Sequence, residues 1–215
     1  MFSKEENSSP LSAQDAAALK KIDALSDSTI TSCSIFLPAR TRMVRLQEGE
    51  HDGSSVFYNR DGRDTRYGLI DGKNGTMYTA PSPKTAMKEV FQKRKGLTES
   101  DLERYFIADI VMLVSVQVLQ TSQLVMKTSL TVHDLTTGSR RVTQSLAKRA
   151  NAAGLNGIEF ISNVAQQTCF ALWHSDPAGI DMAVTQDQVR LSDFIYEGTE
   201  AADILTFELG IPVEE

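Results

Sequence analysis

Residues that could do chemistry follow one another closely in the stretch from Arg66 to Phe91. A glycine-bearing loop comes after Arg66, a short strand ends near Tyr78, and the next helix carries Glu89 on the same face as Ala86. Arginine side chains bind anions, aromatic rings stack on planar ligands, and a carboxylate stabilises positive charge. Because an apolar helix face disfavours an unpaired carboxylate, Glu89 is the residue here that most needs a functional explanation.

The sequence patterns around this stretch predict a mixture of helices and strands. Residues 48–75 are rich in Gly, Asp, Ser and Asn and predict a long loop. Ser82-Pro83 predicts the start of the helix that carries Glu89. Further along, the pattern predicts one or two strands over 106–119, a helix over 143–153 that ends at Gly154, and strands over 158–161 and 168–173. Because helices and strands are mixed without a regular βαβ alternation, we expect an α+β fold.

Capping residues and apolar patterns also predict helices and strands in the remaining segments. Ser12 caps a predicted helix through Leu25, and Thr98 with Asp101 resembles a capping box that opens a short helix. The β-branched and apolar segments 29–37, 124–135, 191–196 and 204–211 are predicted as strands. Residues 1–28 are predicted as an N-terminal extension with one helix, and residues 29–215 as the main domain.

The composition limits the class of protein. A chain of 215 residues with 41% hydrophobic content is long enough for one well-packed core. A net charge of −6 argues against nucleic-acid binding through phosphate neutralisation. No segment approaches the roughly 18 apolar residues of a membrane span, and the first ten residues contain no apolar segment that could act as a secretion signal. We therefore expect a cytoplasmic protein, and delivery into another cell by a signal-independent route stays open.

Several common kinds of site are disfavoured by the motifs. Cys33 and Cys169 lie in apolar contexts outside any C-x-x-C or Cys/His cluster, so we expect buried, reduced thiols and no metal site. The three histidines share no motif with a serine or cysteine nucleophile. No glycine pattern matches a P-loop or a dinucleotide fingerprint. The pair Arg140-Arg141 is predicted to be solvated surface.

Two more residues, Arg45 and Ser162, join Arg66, Tyr78 and Glu89 as candidates for a functional site. Arg45 lies in a predicted strand, and Gly157-Ile158 opens the strand that leads to Ser162. The order Arg45, Arg66, Tyr78, Glu89 and Ser162, with its local contexts, resembles the RES domain, a family named for its Arg, Glu and Ser. The resemblance covers residues 43–173. It departs from the family in the loop after Arg66, which reads Arg-Tyr-Gly-Leu without the family's prolines.

The resemblance implies a fold, an activity and residue roles. The fold would be α+β and similar to ADP-ribosyltransferases, with mixed sheets flanked by helices. The activity would be cleavage of NAD at the nicotinamide–ribose bond, with NAD as a substrate and no true cofactor. Glu89, Ser162 and Tyr78 would be the catalytic residues. Arg45 and Arg66 would bind the pyrophosphate, and Tyr78 would also contact the substrate.

The resemblance also implies a biological role and leaves alternatives open. Family members act as toxins that deplete NAD, which implies an antitoxin or immunity protein as a partner. The acceptor could be water, inorganic phosphate or a protein side chain, so NAD glycohydrolase, NAD phosphorylase and ADP-ribosyltransferase remain alternatives. A further alternative is a module that binds NAD or a protein without catalysing a reaction.

Overall fold

The computed structural model describes residues 10–63 and 65–214. Within these ranges the helices are α1 (Ala13–Asp23), α2 (Asp27–Ser32), α3 (Pro83–Phe91), α4 (Glu99–Arg104), α5 (Thr121–Lys127), α6 (Val132–Thr136), α7 (Arg140–Ala152) and α8 (Ala201–Asp203). The strands are β1 (Ser34–Leu37), β2 (Arg42–Glu48), β3 (Gly75–Thr79), β4 (Leu97–Thr98), β5 (Tyr105–Met112), β6 (Val116–Gln120), β7 (Gly157–Ile161), β8 (Thr168–His174), β9 (Ala183–Arg190), β10 (Ile195–Tyr196), β11 (Thr199–Glu200) and β12 (Val213–Glu214).

Two sheets form the frame of the molecule. The larger has the strand order β1-β6-β7-β8-β3, in which β6 and β7 are parallel and the other pairs are antiparallel. The smaller is antiparallel with the order β2-β5-β9. The edge strands β2 and β3 meet where the backbones of Val44 and Ala80 exchange two hydrogen bonds of 2.8 Å. This junction brings Arg45 of β2 close to the end of β3 that carries Tyr78.

Two apolar clusters hold the sheets and helices together. The larger includes Ala18 and Ile22 of α1, Phe91 of α3 and Leu146 of α7, so α1 contributes to the main core. The second lies between the two sheets and includes Met43, Met77 and Ile110 among its members. Gly75 at the start of β3 permits a close approach, because a Cβ there would overlap the carbonyl oxygen of Tyr58.

The helices predicted from capping residues are confirmed. The Ser12 hydroxyl accepts the Asp15 N–H at 3.0 Å to cap α1, and the Ser82 hydroxyl accepts the Thr85 N–H at 3.3 Å to cap α3. Thr98 forms the predicted capping box at the start of α4. The strands β5, β6, β7 and β8 also lie where the apolar runs predict them. Local capping chemistry explains the agreement for the helices, since a cap does not depend on tertiary contacts.

The strand predicted over 191–196 is present only at Ile195–Tyr196, because Leu191–Asp193 forms a 3-10 turn. Three other strand predictions are wrong in the same way. Residues 29–37 form a strand only from Ser34, because Ser26 caps the short helix α2 at the Thr29 N–H. Residues 124–135 lie mostly in α5 and α6, the latter opened by its own capping box at Thr131. Residues 204–211 begin with a π-helical turn, Ile204–Glu208. In all three, burial of one helical face outweighs the strand preference of β-branched residues.

The prediction that Cys33 and Cys169 are buried thiols is confirmed, since both are buried and free. In residues 10–63 and 65–214, no helix is long and apolar enough to cross a membrane.

Candidate functional site

A cavity of about 310 Å³ opens beside the junction of the two sheets. It lies between α3, the middle of β2, strand β3 and the loop that precedes β3. We call it the cleft. Its lining consists of Val44, Arg45, Leu46, Asn59, Asp61, Gly62, Thr65, Thr76, Tyr78, Thr79, Ala80, Ala86, Glu89, Val90, Phe160 and Cys169. The structure therefore brings together three of the five residues singled out in the sequence, namely Arg45, Tyr78 and Glu89.

Glu89 lies on α3 among apolar neighbours. Ala86 and Val90 line the cleft beside it, and the Glu89 side chain is half-buried. Among the residues that the structure describes, none forms a hydrogen bond or an ion pair with the Glu89 carboxylate. Burial raises the pKa of the nearby Cys169 thiol to about 12, and the charge of Glu89 makes a smaller contribution in the same direction. The thiol is therefore neutral at physiological pH, and Glu89 is the carboxyl group at this side of the cleft.

Two lysine side chains of α3 contact the C-terminal part of the chain. The Lys84 ammonium lies 2.7 Å from a carboxylate oxygen of Glu208, and the Lys88 ammonium donates to the Leu209 carbonyl at 2.6 Å. Both partners belong to the C-terminal segment that follows residue 193. The position of Glu89 thus depends on a segment of the chain that is distant from it in sequence.

Tyr78 lines the cleft from β3, and its hydroxyl is already engaged. It accepts the backbone N–H of Tyr67 at 3.0 Å, and its ring meets Phe160 edge-on at 6.4 Å between centroids. Burial raises the pKa of Tyr78, although the Thr65 hydroxyl and the Tyr67 N–H oppose the shift. The phenol is therefore neutral, and its aromatic ring is the part suited to contact a ligand.

Arg45 is half-buried at the junction of the sheets. Its Nη1 donates to the carbonyl of Phe57 at 2.7 Å, which fixes the direction of the guanidinium. Burial lowers the pKa of Arg45 to about 10, so the side chain stays cationic at neutral pH. A fixed cation on the lining can bind an anionic group of a ligand.

Arg66 lies next to the cleft rather than on its lining. It is half-buried, and its charge acts to lower the pKa of both Tyr67 and Tyr78. Arg140 of α7 acts on Tyr78 in the same way and is also half-buried, so the prediction of a solvated surface is wrong for Arg140. It holds for Arg141, which is exposed. Two arginines thus give the Tyr78 side of the cleft a positive potential.

Ser162 follows β7, two residues beyond Phe160 of the cleft lining. It is fully buried, and its hydroxyl accepts the N–H groups of Val164 at 3.1 Å and Ala165 at 2.8 Å. These bonds form the turn between β7 and β8. The residue is not on the cleft lining, and these contacts favour a structural role over the catalytic role that the RES resemblance implies, which the structure does not test.

Several residues of the lining could not be predicted from sequence patterns. Asn59, Asp61, Gly62 and Thr65 belong to the long loop before β3, where no periodicity indicates which side chains point inward. Asp61 is paired with Arg63 through two contacts of 2.8 and 2.9 Å. No group of three or more His, Cys, Asp and Glu side chains that could hold a metal ion occurs in the described ranges.

A family model described as the RES domain matches residues 50–193, about two thirds of the chain. The chain belongs to the RES domain family. The resemblance read from the five residues is thereby confirmed, and so is the α+β fold with mixed sheets flanked by helices. The match includes Arg66, Tyr78, Glu89 and Ser162, while Arg45 lies five residues before it.

A solved structure supports the same fold. A chain in the crystal structure of the M. tuberculosis MbcT–MbcA toxin–antitoxin complex is similar to this RES protein, with a TM-score of 0.55 and 16% identity over 82% of this chain and 93% of the other. No curated protein sequence matches the chain. The segment after residue 193, which anchors α3 through Lys84 and Lys88, lies outside the RES match.

Proposed function

We propose that the cleft binds NAD and cleaves the bond between nicotinamide and ribose. The observation that carries the proposal is the Glu89 carboxylate, which is half-buried on an apolar helix face without a hydrogen-bond or ion-pair partner among the described residues. Cleavage of this bond develops positive charge on the ribose, as in glycoside hydrolysis. A preorganised carboxylate stabilises such a charge by about 3–4 kcal/mol. Nicotinamide is a good leaving group, so one carboxylate without a partner acid is sufficient.

The other residues of the cleft suit the rest of an NAD molecule. We assign Arg45, whose guanidinium is fixed by the Phe57 carbonyl, to the pyrophosphate, with Arg66 adding positive charge beside it. Because the Tyr78 hydroxyl is held by the Tyr67 N–H, we assign the aromatic ring of Tyr78 to stacking on nicotinamide. A volume of about 310 Å³ is at the lower end of the roughly 300–1,000 Å³ of ligand cavities and suits one half of a dinucleotide.

Family membership and the toxin–antitoxin relative support a biological role. We infer that the chain is a toxin that depletes cellular NAD, and that a neutralising antitoxin or immunity protein covers the cleft. The acceptor of the ADP-ribosyl group is water, phosphate or a protein side chain. These three acceptors give different products from the same cleavage step.

The decisive experiment incubates the purified chain with NAD and measures nicotinamide release. ADP-ribose would identify hydrolysis, a phosphorylated ADP-ribose formed only with added phosphate would identify phosphorolysis, and transfer of label from NAD to protein would identify ADP-ribosylation. Glu89→Gln is the inactive variant, and Glu103→Gln, a change at an exposed site on α4, is its matched control. Tight NAD binding without nicotinamide release would contradict the enzyme and support a binding module.

A second experiment tests the role as a toxin. Expression of the wild-type chain in a bacterium without its partner should stop growth as cellular NAD falls. Glu89→Gln should relieve both effects together, because both depend on one reaction. Growth arrest with unchanged NAD would instead point to modification of a protein target.

A further inference from the structure

One side chain outside the cleft contacts three backbone carbonyls of the loop that forms its rim. Gln144 of α7 is buried, and its Nε2 lies 3.0 Å from the Gly62 carbonyl oxygen, 2.8 Å from that of Arg63 and 3.0 Å from that of Thr65. We call residues 62–63 and 65–67 the cleft loop. Gly62 and Thr65 line the cleft directly.

The cleft loop is linked in turn to Tyr78. The Thr65 hydroxyl donates to the Gly62 carbonyl at 2.8 Å and also interacts with the Tyr78 hydroxyl. The Tyr67 N–H donates to the same hydroxyl at 3.0 Å. A chain of contacts therefore runs from Gln144 through the loop backbone to Tyr78, and Arg66 lies within it.

The loop has no regular secondary structure, so its shape depends on these contacts. It approaches itself so closely that a Cβ at Gly68 would overlap the Gly62 carbonyl. A carboxamide suits the position because its NH₂ group supplies two hydrogens that three converging carbonyl oxygens can share, and it carries no charge. A carboxylate of the same size would present only acceptors to those oxygens.

We propose that Gln144 is a positioning residue that holds the cleft loop against Tyr78 and thereby sets the affinity for substrate. It reaches no reacting atom itself. Its kinetic consequence rests on the proposed function, because the loop carries Arg66 and meets the ring assigned to nicotinamide. Its structural consequence, the ordering of the loop, does not depend on which ligand the cleft binds.

The test compares Gln144→Met and Gln144→Glu with matched changes at Gln117. Gln117 lies on β6, three strands from β3, and its Nε2 donates to the Ser34 hydroxyl at 2.6 Å, so it is a partly buried amide away from the cleft. Gln144→Met keeps the length of the side chain and removes the donors. Gln144→Glu keeps the shape and replaces donors with acceptors.

Two measurements separate positioning from general stability. Hydrogen exchange without NAD should show the Tyr67 N–H exchanging about tenfold faster or more in both Gln144 variants, while the Gln117 variants match the wild type there. Nicotinamide release should show KM for NAD raised about tenfold with kcat within about threefold, since partial unfolding would lower kcat and leave KM unchanged.

The outcomes distinguish this inference from the proposed function. If the wild type releases no nicotinamide, the proposed function fails, and hydrogen exchange alone decides the role of Gln144. If the Tyr67 N–H exchanges at the wild-type rate in Gln144→Met, the positioning role is overturned whatever the kinetics. If Gln144→Glu does not fold, the Gln144→Met comparison still decides.

Discussion

The two sides of the cleft are built differently. The α3 side is a regular helix with a capping serine at one end and two lysine contacts to the C-terminal segment on its outer face. The loop side has no regular structure and is held by close glycine packing and by one amide from α7. The α3 side places a single charge for chemistry, and the loop side shapes the surface that a ligand contacts. Damage to the α3 side should therefore affect the rate, and damage to the loop side the affinity.

The largest effect should follow from Glu89→Gln. The amide has the same shape but cannot offer negative charge to a ribosyl cation, so we expect a loss of NAD cleavage of about a hundredfold or more. Because the carboxylate has no hydrogen-bond or ion-pair partner among the described residues, the thermal midpoint should stay close to that of the wild type. Nicotinamide release and a thermal melt check both statements. Wild-type turnover by the folded variant would remove Glu89 from the reaction.

The arginines should change affinity instead of rate. Arg45→Ala and Arg66→Ala are each expected to raise the dissociation constant for NAD by about tenfold, because binding of phosphate oxygens is present in the ground state and the transition state alike. Arg45 should have the larger effect, since it lines the cleft and is fixed by the Phe57 carbonyl. Calorimetry at low and high salt measures this, and Arg141→Ala, at an exposed position, is the control.

Unchanged affinity in both arginine variants would mean that the pyrophosphate is held elsewhere. It would also contradict the assignment of affinity to the loop side, because Arg66 would then make no contact with the substrate.

The same contrast explains which parts could be predicted from sequence. Helix α3 and its carboxylate follow from Ser82-Pro83 and from the apolar stripe, both of which are local patterns. Short helices such as α5 were missed because β-branched and apolar residues favour strands until tertiary burial is known. Gln144 gave no signal at all, since its acceptors lie 82, 81 and 79 residues earlier in the chain. Long-range contacts between a side chain and a loop backbone leave no periodicity in the sequence.

A smaller effect should come from the outer face of α3. Lys88→Met removes the bond to the Leu209 carbonyl, and we expect a loss of about 1–2 kcal/mol in the free energy of unfolding. A fall in kcat of a few fold should accompany it, because Glu89 is one residue away, whereas KM should change little. Denaturant unfolding and steady-state kinetics test this, with the exposed Lys148→Met on α7 as control. A raised KM with unchanged kcat would contradict the assignment of rate to the α3 side.

The smallest effect on activity should come from Ser162→Ala. The hydroxyl is fully buried and accepts two backbone N–H groups of the turn between β7 and β8, so its loss should cost about 1–2 kcal/mol of stability. The effect on the cleft is indirect, through Phe160 and Cys169 of the adjoining strands, and we expect kcat to fall by no more than about threefold. Denaturant unfolding and nicotinamide release measure the two quantities. A fall of a hundredfold in kcat without loss of stability would instead show that the hydroxyl acts on Glu89 or on the nicotinamide amide, as the RES resemblance implies.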